Sequence, residues 1–159
     1  MNNTNVNKKN ILNEIQSNEQ NDMTYEKVDL YLREYPGDTD MIIIKAYLLL
    51  IDDNIEDGIE ELEFVLQKCP FSVDALFLLG QAYNEENRYY DALICMGMSS
   101  YLNYFYNDVN RNLYNQEMCL DIIKNIIDNV EGSSDLSTDK KDQIINGYKK
   151  EFDDYFWLF

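Results

Sequence analysis

At 159 residues and 45% hydrophobic content, with only two prolines and six glycines, the chain can build a real core and is not disordered throughout. Thirteen basic against 30 acidic residues leave a net charge of −17, a field that repels nucleic acid and anionic lipid and draws basic ligands. The absence of histidine and the wide scatter of Cys69, Cys95 and Cys119 exclude a zinc site and a disulfide framework as expectations. The cysteines read as small, half-buried apolar residues. No apolar run approaches the roughly 18 residues that a bilayer span needs. The polar N-terminus has no apolar leader, so a cytoplasmic location is expected.

In chain order, Met1 to Asn10 (MNNTNVNKKN) reads as a frayed or disordered end, and 11–159 as a single domain. Ile11, Leu12 and Ile15 begin a helical pattern. A second helix over 25–35 turns Val28, Tyr31 and Leu32 inward and stops at Pro36-Gly37-Asp38. The stretch DMIIIKAYLLLI is nearly all apolar and predicts a helix over 40–52; Glu56 to Lys68 predicts the next, with Ile59, Leu62, Phe64, Val65 and Leu66 on its buried side. Helices over 73–86 and 89–102 follow, joined by the polar turn NEENR. Val109, Leu113, Leu120, Ile123, Ile127 and Val130 then form a stripe at three- and four-residue spacings, which predicts one long helix over 108–130. After the loop EGSSDLST, Ser137 or Thr138 can cap a last helix over 139–155 with Ile144, Ile145, Tyr148, Phe152 and Phe156 on one side.

Val73 is followed by Leu76, Leu79, Gly80, Tyr83 and Ala92 at offsets of 3, 6, 7, 10 and 19. Pro36 and Pro70 stand 34 residues apart, and Ala46 and Gly58 precede Gly80 and Ala92 by the same interval. This pattern resembles the tetratricopeptide (TPR) repeat, a pair of antiparallel helices that pack through small and large residues in turn. The resemblance covers three repeats, at 5–38, 39–72 and 73–106, strongest in the third and most degenerate in the first, where Thr24, Val28 and Tyr31 take the second-helix core positions. It implies an all-α fold: a helix-turn-helix solenoid whose open end is covered by capping helices at 108–130 and 139–155.

TPR domains hold an extended peptide or a helix in a concave groove lined by first helices. Mapped by repeat position, that groove is Asp40, Ile43, Tyr47, Leu50 and Ile51 from the middle repeat, with Asp74, Phe77, Gln81, Asn84 and Glu85 from the third. The basic clamp of TPR co-chaperones is missing: Lys9 and Asn13 fit its first two positions, but Ile44, Asp74 and Leu78 occupy the later ones. The resemblance therefore implies an adaptor for a protein or peptide partner, basic or amphipathic in character. Two other uses fit the same pattern. One is a regulatory or positioning part of a larger enzyme, and the other is a chaperone like those of class II in type III secretion, whose size and three-repeat plan are similar.

No catalytic, cofactor-binding or metal-binding residue stands out. Starting a calcium loop at Asp52 would put Asp57 where the turn glycine belongs. Seven acids between Asp52 and Glu63, with no base among them, read first as a solvated helix face. A glycine-rich phosphate loop and a nucleophile elbow are absent. The tyrosine cluster at 101–106 reads as packing against the cap, its hydroxyls wet. Tyr155-Phe156-Trp157-Leu158-Phe159 is expected to dock, within its own chain rather than on a second copy.

Overall fold

The structure, a computed structural model, describes residues 7–17, 22–105 and 116–153. Within them lie eight α-helices and no strand: α1 (Lys8–Gln16), α2 (Asp22–Glu34), α3 (Thr39–Ile51), α4 (Ile55–Lys68), α5 (Val73–Glu85), α6 (Tyr89–Phe105), α7 (Gln116–Gly132) and α8 (Thr138–Glu151). None of them is long and apolar enough to cross a membrane. The contacts group into two compact units, Met1–Glu61 and Leu62–Phe159. The boundary falls inside α4.

The local geometry repeats every 34 residues. Helices α3 and α5 start at Thr39 and Val73 and each spans 13 residues, while α4 and α6 start at Ile55 and Tyr89. Their caps repeat too. Asp38 accepts from the Met41 amide and Ser72 from the Ala75 amide, so each first helix has one of its open N–H groups satisfied by a short oxygen side chain. The tight turns match as well. Asp53 (φ 63°) and Asn87 (φ 58°) are left-handed, a conformation that Asp and Asn tolerate better than most residues. The amides one residue later, at Asn54 and Arg88, bond back to the carbonyls of Leu49 and Tyr83 at 2.9 and 2.8 Å. Even the entry to each pair repeats, with Asp38 N–H on Tyr35 O and Ser72 N–H on Cys69 O.

In the first unit, Ile11, Val28, Met41, Ile44 and Leu48 form a core, with Leu12, Ile15, Tyr31, Leu32 and Tyr47 packed against it. Asp38 ties three helices together there. Its carboxylate takes both the α3 cap and the Lys8 ammonium of α1 (2.9 Å), while the Tyr31 hydroxyl of α2 donates to it at 3.0 Å. Burial alone would raise the Asp38 carboxyl, but these donors outweigh it and hold the group below its usual range. Helix α1 starts at Lys8, inside the segment expected to fray, because Asn7 caps it by accepting from the Lys9 amide. Thr24 and Val28 are fully buried.

In the second unit, the buried side of α7 is Cys119, Ile123, Ile126 and Val130. That face is rotated from the expected stripe, so Leu120 and Ile127 lie at its border. Val109 and Leu113 fall outside the described residues. Ser137 is the α8 cap, and α8 ends at Glu151 rather than near 155. Asp153 follows, and a carboxylate is unfavourable at a helix C-terminus. Phe156 and the expected docking of 155–159 lie outside the described residues. A buried polar chain joins three helices: Ser99 donates to the Val73 carbonyl (3.1 Å), the Cys119 thiol to Ser99 (3.4 Å), and the Asn103 amide to the Ser99 carbonyl (3.1 Å). Cys95 and Cys119 are buried, whereas Cys69 is exposed and so departs from the half-buried reading.

Candidate functional site

The residues expected to line the groove separate into surface and core. On α3, Asp40 and Ile51 are exposed, and Tyr47 and Leu50 are half-buried. Ile43 is only 7% exposed. Asp40 is not idle, since Lys8 donates to its carboxylate at 2.9 Å. On α5, Asp74, Gln81 and Asn84 are half-buried and Glu85 is exposed, but Phe77 is 1% exposed and belongs to the core. The reason lies in α5 itself, where Val73, Ala75, Leu76, Leu78 and Leu79 are buried as well. A helix enclosed on several sides does not offer its whole first-helix face to a ligand. The Asn84 side-chain oxygen is buried and accepts no hydrogen bond among the described residues.

The acidic run is partly engaged. Glu61 pairs with Lys45 at 2.6 Å, and Glu63 accepts from the Tyr83 hydroxyl at 2.7 Å. Tyr104 and Phe105 are 55% and 56% exposed, so the expected packing of the 101–106 cluster fails for these two. Their rings lie edge to face at 5.1 Å.

A cavity that the sequence did not announce lies within the second unit. It measures about 390 Å³ and is lined by Tyr83 of α5, by Tyr90, Asp91, Ile94, Cys95, Met98 and Tyr101 of α6, and by Glu151 and Phe152 at the end of α8. The α6 residues recur at one- and three-residue steps, which puts them along one side of that helix. Two glycines set its walls. A Cβ at Gly97 would stand 2.6 Å from the Phe152 ring, and one at Gly147 would stand 2.9 Å from the Tyr90 ring. Each glycine therefore admits an aromatic ring from the opposite helix, which accounts for a residue that weakens helix interiors by about 1 kcal/mol relative to Ala.

The chemistry of the cavity is aromatic and acidic. Four rings, Tyr83, Tyr90, Tyr101 and Phe152, and two carboxylates, Asp91 and Glu151, line it, with no basic side chain among the lining residues. Just beside it, the Arg88 guanidinium lies 3.9 Å over the Tyr83 ring and pairs with Asp91 at 3.0 Å. Burial, and secondarily the Asp91 charge, push the Cys95 thiol up to about 12. It stays protonated at neutral pH and offers no thiolate. Burial and the Glu63 hydrogen bond raise the Tyr83 hydroxyl in the same way. These groups can bind and orient a ligand, and neither is an activated nucleophile. Among the described residues no group of three or more acids and cysteines is placed to hold a metal ion.

Compared with protein-family models, with curated proteins and with solved structures, the chain matches none.

Proposed function

We propose that the protein is a non-catalytic adaptor of TPR type that binds a segment of a partner protein on the first-helix surfaces of its repeats. The observation that carries this reading is the 34-residue recurrence of helix starts, caps and left-handed turn residues between 39–68 and 73–105. A hairpin repeated in this way gives each first helix an equivalent surface, and such surfaces serve recognition. Eight of the ten groove positions keep some exposure, Ile43 and Phe77 being the exceptions. The net charge of −17 favours a basic segment and speeds its encounter.

A peptide library selected on the full chain tests the reading. Calorimetry on a selected binder should show affinity falling roughly 5- to 30-fold with Ile51→Asp or with Glu85→Lys, an effect of about 1–2 kcal/mol. Both side chains are exposed, so neither change should disturb folding. Failure to select any binder, or binders indifferent to both changes, would refute it.

A further inference from the structure

We infer that the cavity between α5, α6 and α8 is the seat of the chain's own segment Tyr155-Phe156-Trp157-Leu158-Phe159, with the Trp157 ring inside it. The site uses none of the first-helix positions above, and the segment itself lies outside the described residues.

Position favours this occupant. Helix α8 ends at Glu151, and the Phe152 amide still bonds back to the Tyr148 and Lys149 carbonyls. Glu151 and Phe152 line the cavity, so the chain leaves α8 at the cavity edge. Tyr155 stands three residues past Phe152 and Trp157 five, extended reaches of about 10 and 17 Å. A segment tethered so close meets the cavity at a high effective concentration, which a second copy or a free ligand would have to exceed.

The chemistry of the two surfaces agrees. Ile94, Met98 and the rings of Tyr83, Tyr90, Tyr101 and Phe152 form the walls. Tyr148 lies beside Phe152 and Phe105 beside Tyr101, at 5.2 and 4.5 Å between ring centroids. These rings serve as fixed walls, and none of them needs to be free of other partners. Glu151 is exposed and keeps its water, so an apolar occupant does not strand its charge. Aromatic rings pack well on one another edge to face or offset. A cavity of about 150 Å³ is enough to hold benzene, so one of about 390 Å³ has room for an indole with a second ring beside it. The indole N–H needs an acceptor once it is covered, and Asp91 and the tyrosine hydroxyls of the lining provide oxygens. In an extended segment alternate side chains share one side. That side would carry Tyr155, Trp157 and Phe159, three rings to meet an aromatic wall.

Trp157 is the only tryptophan in the chain, so fluorescence of the full chain reports on this one ring. Its emission should lie to the blue of N-acetyltryptophanamide, and acrylamide should quench it several-fold less steeply. Methyl NMR should show Overhauser contacts from the Trp157 ring protons to the Ile94 and Met98 methyls. Those contacts should persist when labelled protein is diluted into an excess of deuterated chain. Ile94→Glu, which puts a charge in the cavity wall, should return emission and quenching to those of the free amide, with the Ile123 methyl signal unmoved as a check on folding. Quenching of the unaltered chain as steep as that of the free amide would overturn the inference. So would a covered Trp157 that lacks both methyl contacts, or indifference of the emission to Ile94→Glu. Contacts that vanish on dilution would overturn it too, by assigning the segment to the cavity of a second copy.

Discussion

The two complete hairpins solve one packing problem in opposite ways. In 39–68 the glycine is on the second helix: a Cβ at Gly58 would stand 2.6 Å from the Leu50 side chain and 3.4 Å from the Ala46 carbonyl. In 73–105 it is on the first helix: a Cβ at Gly80 would stand 2.9 Å from the Met96 side chain and 3.3 Å from the Ala92 carbonyl. Gly58 and Ala92 are 34 residues apart, as are Ala46 and Gly80. The glycine and its alanine partner have changed places, and the side chain that fills the gap has changed helix with them. Close approach is thus a property of the pair. One glycine on either helix suffices, provided that the facing residue is alanine and a flexible side chain fills the remaining space.

The exchange has a polar consequence. One period after Leu50 stands Asn84, whose buried oxygen is unpaired among the described residues. The position that fills the crossing in one hairpin carries a desolvated amide in the other, at a cost of about 1–3 kcal/mol for such a group.

The largest expected effect comes from closing these gaps. Gly58→Leu and Gly80→Leu should each cost roughly 1–3 kcal/mol from overpacking, read as a lower urea midpoint at unchanged slope. Comparable losses would support the exchange of roles. A loss at Gly80 alone would show that the two crossings are not equivalent.

A smaller effect separates the two units by pH. In the first unit, hydrogen bonds and charge from Lys27, with Thr24, lower the Glu14 carboxyl from 4.5, and the donors to Asp38 lower it from 3.8. Groups with depressed folded values stabilise fully above the unfolded values, and that contribution disappears as pH falls through the folded ones. The first unit should therefore weaken below about pH 4.5. In the second unit, burial raises the Cys95 thiol from 9.0 to about 12 and raises Cys119 from the same starting value. A raised folded value reverses the sign, so this contribution is complete below 9 and declines as pH climbs toward 12. Urea titrations at pH 3.5, 7 and 10, followed through the methyls of Ile44 and Ile123, should show the first unit losing more stability at the acid end and the second beginning its loss near pH 9. Equal behaviour of the two probes would contradict these assignments.

Much of the order and extent of the helices is legible because its signals are periodic and local. Gly80, Ala92 and the 34-residue interval between Pro36 and Pro70 located α3 to α6 to within a residue or two, apart from the end of α6 at Phe105. The ends were less legible. Asn7 acts as a cap inside a run of similar residues, and nothing in that run marks it out. The stripe on α7 is right at Ile123 and Val130, but Cys119 and Ile126 are buried in place of their apolar neighbours Leu120 and Ile127, and a helix face a hundred degrees wide admits either choice. The candidate cavity was not legible at all. Gly97 and Gly147 look like faults of helix propensity until the rings of Phe152 and Tyr90 are seen to occupy the space. Repeat position puts Ile43 and Phe77 on a surface, yet they are buried among neighbours that a one-helix pattern cannot show.

Residues 39–68 and 73–105 form helical hairpins of one geometry with the glycine exchanged between helices. Interhelical nuclear Overhauser effects test it most directly. Contacts are expected from the Gly58 α-protons to the Leu50 methyls and from the Gly80 α-protons to the Met96 methyl, the first reaching from α4 to α3 and the second from α5 to α6. Absence of either contact, with all four residues assigned and both helix pairs formed, would contradict it.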